Sequence, residues 1–275
     1  MKRRLGVQDT CIAGMDPVEA MPYIKKAGFD CYFVEISDMK RVAERVEAGK
    51  KVGLTCEFIH AHWRYKAENG NGYYMNEFWK EGDTYKPLFD ATIEAIDTAA
   101  ALGIPGICQH VTSGWVAPKP CELGFNRFDA LVEYAVKKGV KFTLENLRNY
   151  GLLAALLERY EQVPEVGFCY DNGHEHCYTE TVPFLDLWGT RTFFTHLHDN
   201  YGRDKEDPDK DADYHLLPYD GNFDYSEMIR RMDKYGYEGA LTLEVCQYGK
   251  YKEMEPQAFL DMLYARAVKL SKGEM

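Results

Sequence analysis

The stretch that decides the fold is VKFTLENLRNYGLLAALLERYEQVPEVGFCYDNGH, residues 140–174. It begins with a short apolar run typical of a buried strand, VKFTLENL. It continues with the helical apolar spacing of YGLLAALLERYEQ and returns to a strand pattern in EVGFCYDNGH. A strand, a helix and a second strand in this order form the repeating unit of parallel α/β folds.

The same alternation runs along the whole chain. The predicted strands lie in RLGVQDT, CYFVEIS, LTCEFIHAHW, GICQHVT, VKFTLENL, EVGFCYDNGH, RTFFTHLHDN and GALTLEVCQYG. Many of the helices between them end at a glycine, which we expect to act as a left-handed cap: Gly28, Gly53, Gly103, Gly139, Gly189 and Gly236. Eight such units without a composition break predict a single-domain (β/α)8 TIM barrel over residues 1–275, with an open doubly wound sheet as the alternative.

Composition limits the classes of partner. The chain has 275 residues, 45% of them hydrophobic, and a formal net charge of -11, which disfavours nucleic acid. No apolar run approaches the roughly 18 residues that a membrane-spanning helix needs, and the first residues lack the apolar centre of a secretory signal. The eight cysteines form no CxxC pair, so we expect a cytoplasmic protein. From the charge we expect a small-molecule or cation partner, and from the lack of a long apolar run we expect no membrane association.

Polar residues occupy the predicted C-terminal ends of strands three to eight and the long loop after strand seven. They are His60, His62, His110, Glu145, Asp171, His174, His196, His198, Glu244 and, in the loop, Asp213 and His215. A lone strand-end histidine or aspartate is commonly a hydrogen-bonded edge residue. A barrel, however, brings all strand C-termini to one opening, where clustered carboxylates would repel one another unless a divalent cation neutralised them. The pattern therefore predicts a metal site.

Mixed imidazole and carboxylate ligands favour Zn²⁺, Mn²⁺, Fe²⁺ or Co²⁺ over Ca²⁺ or Mg²⁺. A minimal centre takes one residue from each of the last four strands: Glu145, Asp171, His196 and Glu244. The remaining candidates then form further metal sites or position the substrate: His60, His110, His174, His198, Asp213 and His215. We expect His198 and Asp199 to orient the ligands from outside.

Five strings resemble motifs of the sugar isomerase and epimerase superfamily, which has a xylose-isomerase-like barrel: FTLENL (142–147), DNGH (171–174), HLHD (196–199), DYHLLPYDGNFD (213–224) and LTLEV (241–245). The resemblance implies one divalent metal (Zn, Mn or Co) held by four ligands: Glu145, Asp171, His196 and Glu244. It also implies that the two glutamates exchange protons with the substrate. His174 matches the family's substrate-contacting histidine, and Arg203 lies near the position of its substrate-binding arginine.

The metal-dependent apurinic-site endonucleases belong to the same superfamily, and the chain resembles that branch too. There the resemblance implies three zinc ions on nine residues: His60, His110, Glu145, Asp171, His174, His196, Asp213, His215 and Glu244. The turn LLPYDGNFD departs from this branch, because Asp220 stands where a glycine is usual.

Three functions follow from these observations. The leading hypothesis is a divalent-metal-dependent isomerase or epimerase of a sugar or sugar phosphate, working by carboxylate-mediated proton transfer through a metal-stabilised enediolate. The alternatives are a metal-dependent phosphodiester hydrolase and a non-catalytic ligand-binding barrel.

The long third loop carries aromatic residues that either cover the pocket or pack against the barrel rim or a second subunit of a homo-oligomer: Trp63, Tyr65, Tyr73, Tyr74, Phe78 and Trp79. We assign no chemistry to the charged stretch GRDKEDPDKD (202–211).

Overall fold

The structure is a computed structural model that describes residues 3–35 and 39–274. In chain order its strands are β1 (Leu5–Gln8), β2 (Cys31–Glu35), β3 (Thr55–His60), β4 (Arg64–Lys66), β5 (Gly72–Tyr74), β6 (Gly106–Gln109), β7 (Lys141–Glu145), β8 (Val166–Asp171), β9 (Thr192–His196) and β10 (Leu241–Leu243). Eight of them pair in the order β10-β1-β2-β3-β6-β7-β8-β9, with every paired neighbour parallel, whereas β4 and β5 form a separate hairpin. The predicted TIM barrel is confirmed.

The barrel closes between β9 and β10, next to two predicted ligands. The backbone N–H of Leu197 donates to the carbonyl of Thr242, and the N–H of Glu244 donates to the carbonyl of Leu197, both at 2.9 Å. The hydroxyl of Thr195 accepts a further bond of 3.0 Å from the N–H of Thr242. This closure sets the ends of β9 and β10 side by side, so that His196 and Glu244 face the same opening.

Helices connect the strands, and the longer ones cover the outside of the barrel. They are α1 (Pro17–Ala27), α2 (Val42–Val52), α3 (Lys86–Leu102), α4 (Glu122–Lys138), α5 (Tyr150–Arg159), α6 (Asn172–His174), α7 (Phe184–Trp188), α8 (Tyr225–Lys234) and α9 (Pro256–Ser271). The leucines that mark α5 in the sequence, Leu152, Leu153, Leu156 and Leu157, are all buried, as the helical spacing requires. None of the helices in the described ranges combines the length and the apolar character needed to cross a bilayer.

Five of the six predicted glycine caps are confirmed by a positive φ of 69° to 117°: Gly28, Gly53, Gly103, Gly139 and Gly236. The prediction for Gly189 is wrong, because this residue has a right-handed φ of -55° and begins the 3-10 turn Gly189–Arg191. A Cβ on Gly189 would lie 2.8 Å from the ring of Tyr235. Glycine is needed there for close packing against the end of α8.

An apolar layer lies beneath the opening. It consists of five buried strand residues, Phe33, Phe58, Cys108, Cys169 and Phe194, which form a core cluster of their own. The rings of Phe33 and Phe58 stack with centroids 4.7 Å apart, and the imidazole of His196 rests 4.9 Å from Phe33. The polar site is therefore bounded on one side by apolar side chains, and because such surroundings have a low dielectric constant, electrostatic interactions in the site are only weakly screened.

Candidate metal centre

A cavity of about 780 Å³ opens at the C-terminal ends of the barrel strands. Its wall contains seven of the predicted site residues: His60, His110, Glu145, His174, Asp213, His215 and Glu244. Asp171, His196 and His198 are fully buried, and contacts with residues of this wall place them at its base. The structure thus brings ten of the predicted residues to one end of the barrel.

Glu145, at the end of β7, lies at the centre of the cluster and is 1% exposed. Its Oε1 atom is 2.9 Å from His196 Nδ1 and 3.4 Å from His174 Nδ1. Its Oε2 atom is 3.0 Å from His110 Nε2 and 3.5 Å from His60 Nε2. Burial acts to raise the pKa of Glu145, but the surrounding imidazoles, His196 first, hold this pKa well below its usual range. The carboxyl group is therefore ionised.

The four residues predicted as the minimal centre, Glu145, Asp171, His196 and Glu244, offer ligand atoms that all lie within 4.8 Å of one another. They come from the ends of four neighbouring strands, and β8 pairs with β9 so that Asp171 stands beside His196. Within the described chain, Asp171 Oδ2 and His196 Nε2 are buried with no hydrogen-bond partner. Unpaired buried polar atoms are costly, and a divalent cation would satisfy the carboxylate oxygen. This set of donors fits such a cation.

Three histidines of the cavity show a hydrogen-bond arrangement typical of metal ligands. The Nδ1 atoms of His60, His174 and His215 lie 2.9 to 3.0 Å from the backbone carbonyls of Ala61, Asn146 and Glu244, respectively. Because a carbonyl only accepts, each Nδ1 carries the donated proton, and each Nε2 is directed to a carboxylate. A histidine that ligates a metal commonly donates its other ring N–H in this way.

A second set of potential ligands lies beside the first: His174, His198, Asp213 and His215. Oδ2 of Asp213 is 3.1 Å from the Nε2 atoms of both His174 and His215. His198 Nε2 is 3.5 Å from Asp213 Oδ1, and among the described residues neither of these two atoms has a hydrogen-bond partner. His198 thus lies within this second set, and the two roles predicted for it, a further ligand or an orienting residue, remain predictions.

Asparagine side chains fix the spacing of the strand ends that carry these groups. The amide of Asn146 donates to the carbonyl of Asp171 at 2.7 Å and accepts from its N–H at 2.8 Å. One strand further on, the side-chain amide of Asn172 donates to the carbonyl of His198 at 2.9 Å and accepts from the N–H of His198 at 3.0 Å. Gly173 in the DNGH motif leaves room for His198, since a Cβ at this position would overlap the imidazole.

Asp199 organises a loop and does not contact the predicted ligands directly. Its carboxylate accepts four backbone N–H groups at 2.9 to 3.1 Å, from Asn200, Tyr219, Gly221 and Phe223. These bonds hold the segment between β9 and α8, which carries Asp213 and His215. The ligand-orienting role predicted for Asp199 is therefore indirect, exerted through the backbone of this loop.

The arginines of the cavity wall are Arg64 and Arg148, which the sequence analysis did not single out. Arg148 stacks 3.8 Å over the ring of Tyr178 and lies 2.9 Å from Asp211. Its place three residues after Glu145 was a signal that could have identified it. Arg203 instead packs 5.0 Å from the ring of Trp115 and donates to the carbonyl of Pro208, at the rim. Its substrate-binding role remains a prediction.

The aromatic residues of the third loop divide between the two roles left open. Trp63 and Tyr74 line the cavity, and Trp63 stacks on His110 with ring centroids 5.2 Å apart. Phe78 and Trp79 are buried in the core against Phe128 of α4. The charged stretch also contributes two residues to the wall, Asp209 and Asp211.

Comparison with known proteins finds similar sequences and similar structures. The uncharacterized protein y4fM of Sinorhizobium fredii is 32% identical over 163 residues, 54% of this chain and 50% of that protein. The chain spans about half the length of the curated relatives it matches.

Two solved structures are similar over nearly their whole length. The 3-keto-D-glucoside 4-epimerase YcjR from E. coli superposes with a TM-score of 0.73 over 98% of this chain and 100% of that chain, at 14% identity. The D-psicose 3-epimerase of Clostridium cellulolyticum H10, solved with D-tagatose, gives a TM-score of 0.68 over 99% and 100% of the two chains, also at 14% identity. At these identities the likeness shows a shared fold.

A family model described as xylose isomerase-like TIM barrel matches residues 79–265, well over half of the chain and the part that contains Glu145, Asp171, His196 and Glu244. The barrel topology and this match agree with the family resemblance of the sequence motifs. The chain belongs to the xylose isomerase-like TIM barrel family.

Proposed function

We propose that this chain is a divalent-metal-dependent isomerase or epimerase of a sugar or sugar derivative. One observation carries the proposal: two carboxylates from β7 and the end of β10 approach the same imidazole nitrogen, with His196 Nδ1 2.9 Å from Glu145 and 3.5 Å from Glu244. The names of similar structures, a 3-keto-D-glucoside 4-epimerase and a D-psicose 3-epimerase, support the choice of substrate class.

The two carboxylates supply the proton transfers. Glu145 is ionised in its buried position, so it can accept a proton from a carbon next to a carbonyl, and Glu244 can return a proton. Return to the opposite face of the same carbon gives epimerisation, and return to the adjacent carbon gives isomerisation. A divalent cation held by Glu145, Asp171, His196 and Glu244 polarises the carbonyl and stabilises the developing negative charge when bound.

The cavity wall suits a carbohydrate. Trp63, Tyr74 and Trp115 offer aromatic surfaces on which the apolar face of a sugar ring can stack, and the carboxylates and Arg148 offer hydrogen bonds to its hydroxyls. At about 780 Å³ the space accommodates a substrate larger than a single hexose.

Proton exchange with solvent tests the proposal directly. The protein loaded with Mn²⁺, Co²⁺ or Zn²⁺ is incubated in D₂O with D-tagatose, D-psicose, L-ribulose and their phosphates, and NMR follows deuterium entry next to the carbonyl. We expect exchange together with formation of an epimer or isomer for at least one sugar. Absence of exchange across the panel with all three metals would count against the proposal.

A phosphodiester hydrolase is the second candidate, and the second ligand set of His174, His198, Asp213 and His215 is the observation that favours it. Hydrolysis by metal-activated water requires no C–H exchange. Metal content separates the two functions, since one ion per chain favours the isomerase and three favour the hydrolase. Cleavage of bis-p-nitrophenyl phosphate without deuterium exchange would replace the first proposal by the second.

A further inference from the structure

Arg64 differs from the other arginines of the described chain, because neither a carboxylate nor a backbone carbonyl neutralises its charge. Each of the others forms an ion pair or donates to a carbonyl. The guanidinium of Arg64 forms no ion pair or hydrogen bond with the described residues, and its carbon lies 4.6 Å from the centre of the Trp63 ring. Glu35 lines the cavity with Arg64 but accepts from the hydroxyl of Thr10 at 2.6 Å. Since the chain has 44 acidic and 33 basic residues, an arginine without an anionic partner at the cavity wall is a candidate to bind an anionic ligand.

The hairpin of β4 and β5 carries a second cation beside Arg64. Its register sets Arg64 opposite Tyr74 and Lys66 opposite Gly72. Because alternate residues of a strand share a face, Arg64 and Lys66 lie on the same face of the hairpin as Tyr74. The ammonium of Lys66 likewise has no ion pair or hydrogen bond within the part of the chain that the structure describes. Two neighbouring cations repel each other, and a bound anion would remove this cost.

The opposite face of the hairpin is fixed to the body of the protein. Tyr65 stacks on Tyr73 with ring centroids 5.0 Å apart, and its hydroxyl donates to the carbonyl of Thr84 at 2.8 Å, just before α3. At the end of the hairpin the N–H of Met75 donates to the carbonyl of Trp63 at 3.1 Å. The two cations therefore extend from an anchored backbone.

The cations lie beside the candidate metal centre. Trp63, which contacts Arg64, also stacks on His110, and the Nε2 atom of His110 is 3.0 Å from Glu145. An outer hollow of about 410 Å³ adjoins the cavity, because Arg64 and Tyr74 line both. None of the described residues that line the outer hollow is acidic; they are Arg64, Tyr65, Lys66, Gly70, Gly72 and Tyr74.

We propose that Arg64 and Lys66 form an oxyanion subsite, which binds a phosphate or carboxylate group of the substrate while the reacting carbons lie at Glu145. A guanidinium donates two parallel N–H bonds to two oxygens of such a group, and an ammonium adds a point charge. The inference rests on the proposed function, because it takes a sugar as the occupant of the cavity. It narrows the substrate to an anionic sugar.

Calorimetric titration of the full chain, as purified with its metal, tests the subsite with three probes: D-tagatose, its 6-phosphate, and D-tagaturonate, which has a carboxylate in place of the terminal alcohol. At low ionic strength we expect at least one anionic probe to bind about tenfold more tightly than D-tagatose. Arg64→Gln and Lys66→Gln should each reduce this preference, because each removes one of the two charges. Elemental analysis should give the wild-type metal content for both variants, since neither residue belongs to a ligand set. Lys137→Gln is the matched control, because Lys137 is an exposed lysine in the last turn of α4, outside both the cavity and the outer hollow.

The two anionic probes distinguish the sources of the oxyanion. A preference for the 6-phosphate identifies a phosphate ester and one for D-tagaturonate a sugar acid, and either supports the subsite. Equal binding of all three probes by the wild type, a preference that persists in full in Arg64→Gln, or one that falls as far in Lys137→Gln would overturn it. Calorimetry requires no turnover, so a retained anion preference without deuterium exchange would reject the proposed function alone, whereas exchange without any anion preference would reject the subsite alone.

Discussion

Glu145 Oε1 lies 2.9 Å from His196 Nδ1, and this contact joins the ends of β7 and β9 across the intervening strand β8. Both side chains are buried on the apolar layer of the barrel. Burial opposes charge on His196, but the sulfur of Cys169, followed by the carboxylates of Glu244 and Glu145, raises its pKa well above the usual value. The surroundings of His196 therefore favour a positive charge at this position.

We expect Glu145→Gln to abolish turnover while the barrel stays folded, because the amide keeps the shape of the side chain but cannot accept a proton. General base catalysis contributes on the order of 10²- to 10⁴-fold, which sets the expected fall in the deuterium-exchange rate. Glu57→Gln is the control, since Glu57 is a buried strand glutamate that pairs with Arg4 away from the cavity. Exchange that survives in Glu145→Gln at the wild-type rate would refute its role as the base.

His196→Ala should lower the metal content of the protein, because it removes the imidazole shared by the carboxylates of Glu145 and Glu244. Elemental analysis of the purified variant measures this directly. The comparison variant is His198→Ala, which should deplete the second set of ligands and leave deuterium exchange in place. An unchanged metal content in His196→Ala, with depletion and loss of exchange in His198→Ala, would reverse the assignment.

The clustering of the residues at the strand ends could be predicted, because the parallel topology of a barrel places all strand C-termini at the same opening. Once eight strand and helix units were recognised, the side chains that end β7 to β10 had to meet at one opening, and Glu145, Asp171, His196 and Glu244 do lie together. The glycine caps followed from the same pattern, because a left-handed residue ends a helix wherever the chain must turn back to the sheet.

The locations of side chains that depend on the conformation of a loop could not be predicted from the sequence. The placement of His198 depends on the space left by Gly173, and that of Asp213 on a loop held by Asp199. The position of Arg148 after Glu145 could have marked it as a candidate, but the direction of its side chain depends on stacking against Tyr178, a contact between distant segments. Such contacts leave no periodic signal in the sequence, because a loop has no fixed relation between spacing and direction.

Asp199→Asn should destabilise the protein by about 2–4 kcal/mol, because an amide offers one acceptor oxygen where the carboxylate now accepts four buried N–H groups. Urea denaturation at pH 7 measures the change in the free energy of unfolding. Asp83→Asn is the control, since the side chain of Asp83 is 77% exposed and its loss should cost less than about 0.5 kcal/mol. Equal stability of the two variants would show that the loop does not depend on Asp199.

Asp129 and Arg159 provide a test of pH dependence away from the cavity. The Arg159 Nε and Nη2 atoms donate to the two oxygens of Asp129 at 2.8 and 2.6 Å, and the Tyr160 hydroxyl adds a third bond at 2.8 Å. These bonds, Arg159 first, lower the pKa of Asp129 below its usual value despite partial burial. A carboxyl whose pKa is lower in the folded chain stabilises the fold above its unfolded pKa and loses this contribution as the pH falls through the folded pKa.

Asp129→Asn should therefore cost about 1 kcal/mol at pH 7, a modest value because Arg159 is well exposed to solvent. The difference from the wild type should shrink as the pH falls from 5 to 3, since protonated Asp129 resembles the amide. Urea denaturation at several pH values measures it. Asp261→Asn is the control, because exposed Asp261 accepts a hydrogen bond from the neutral amide of Gln257 and, among the described residues, forms no ion pair. A difference for Asp129→Asn that stays constant between pH 7 and pH 3 would exclude a charge contribution from this pair.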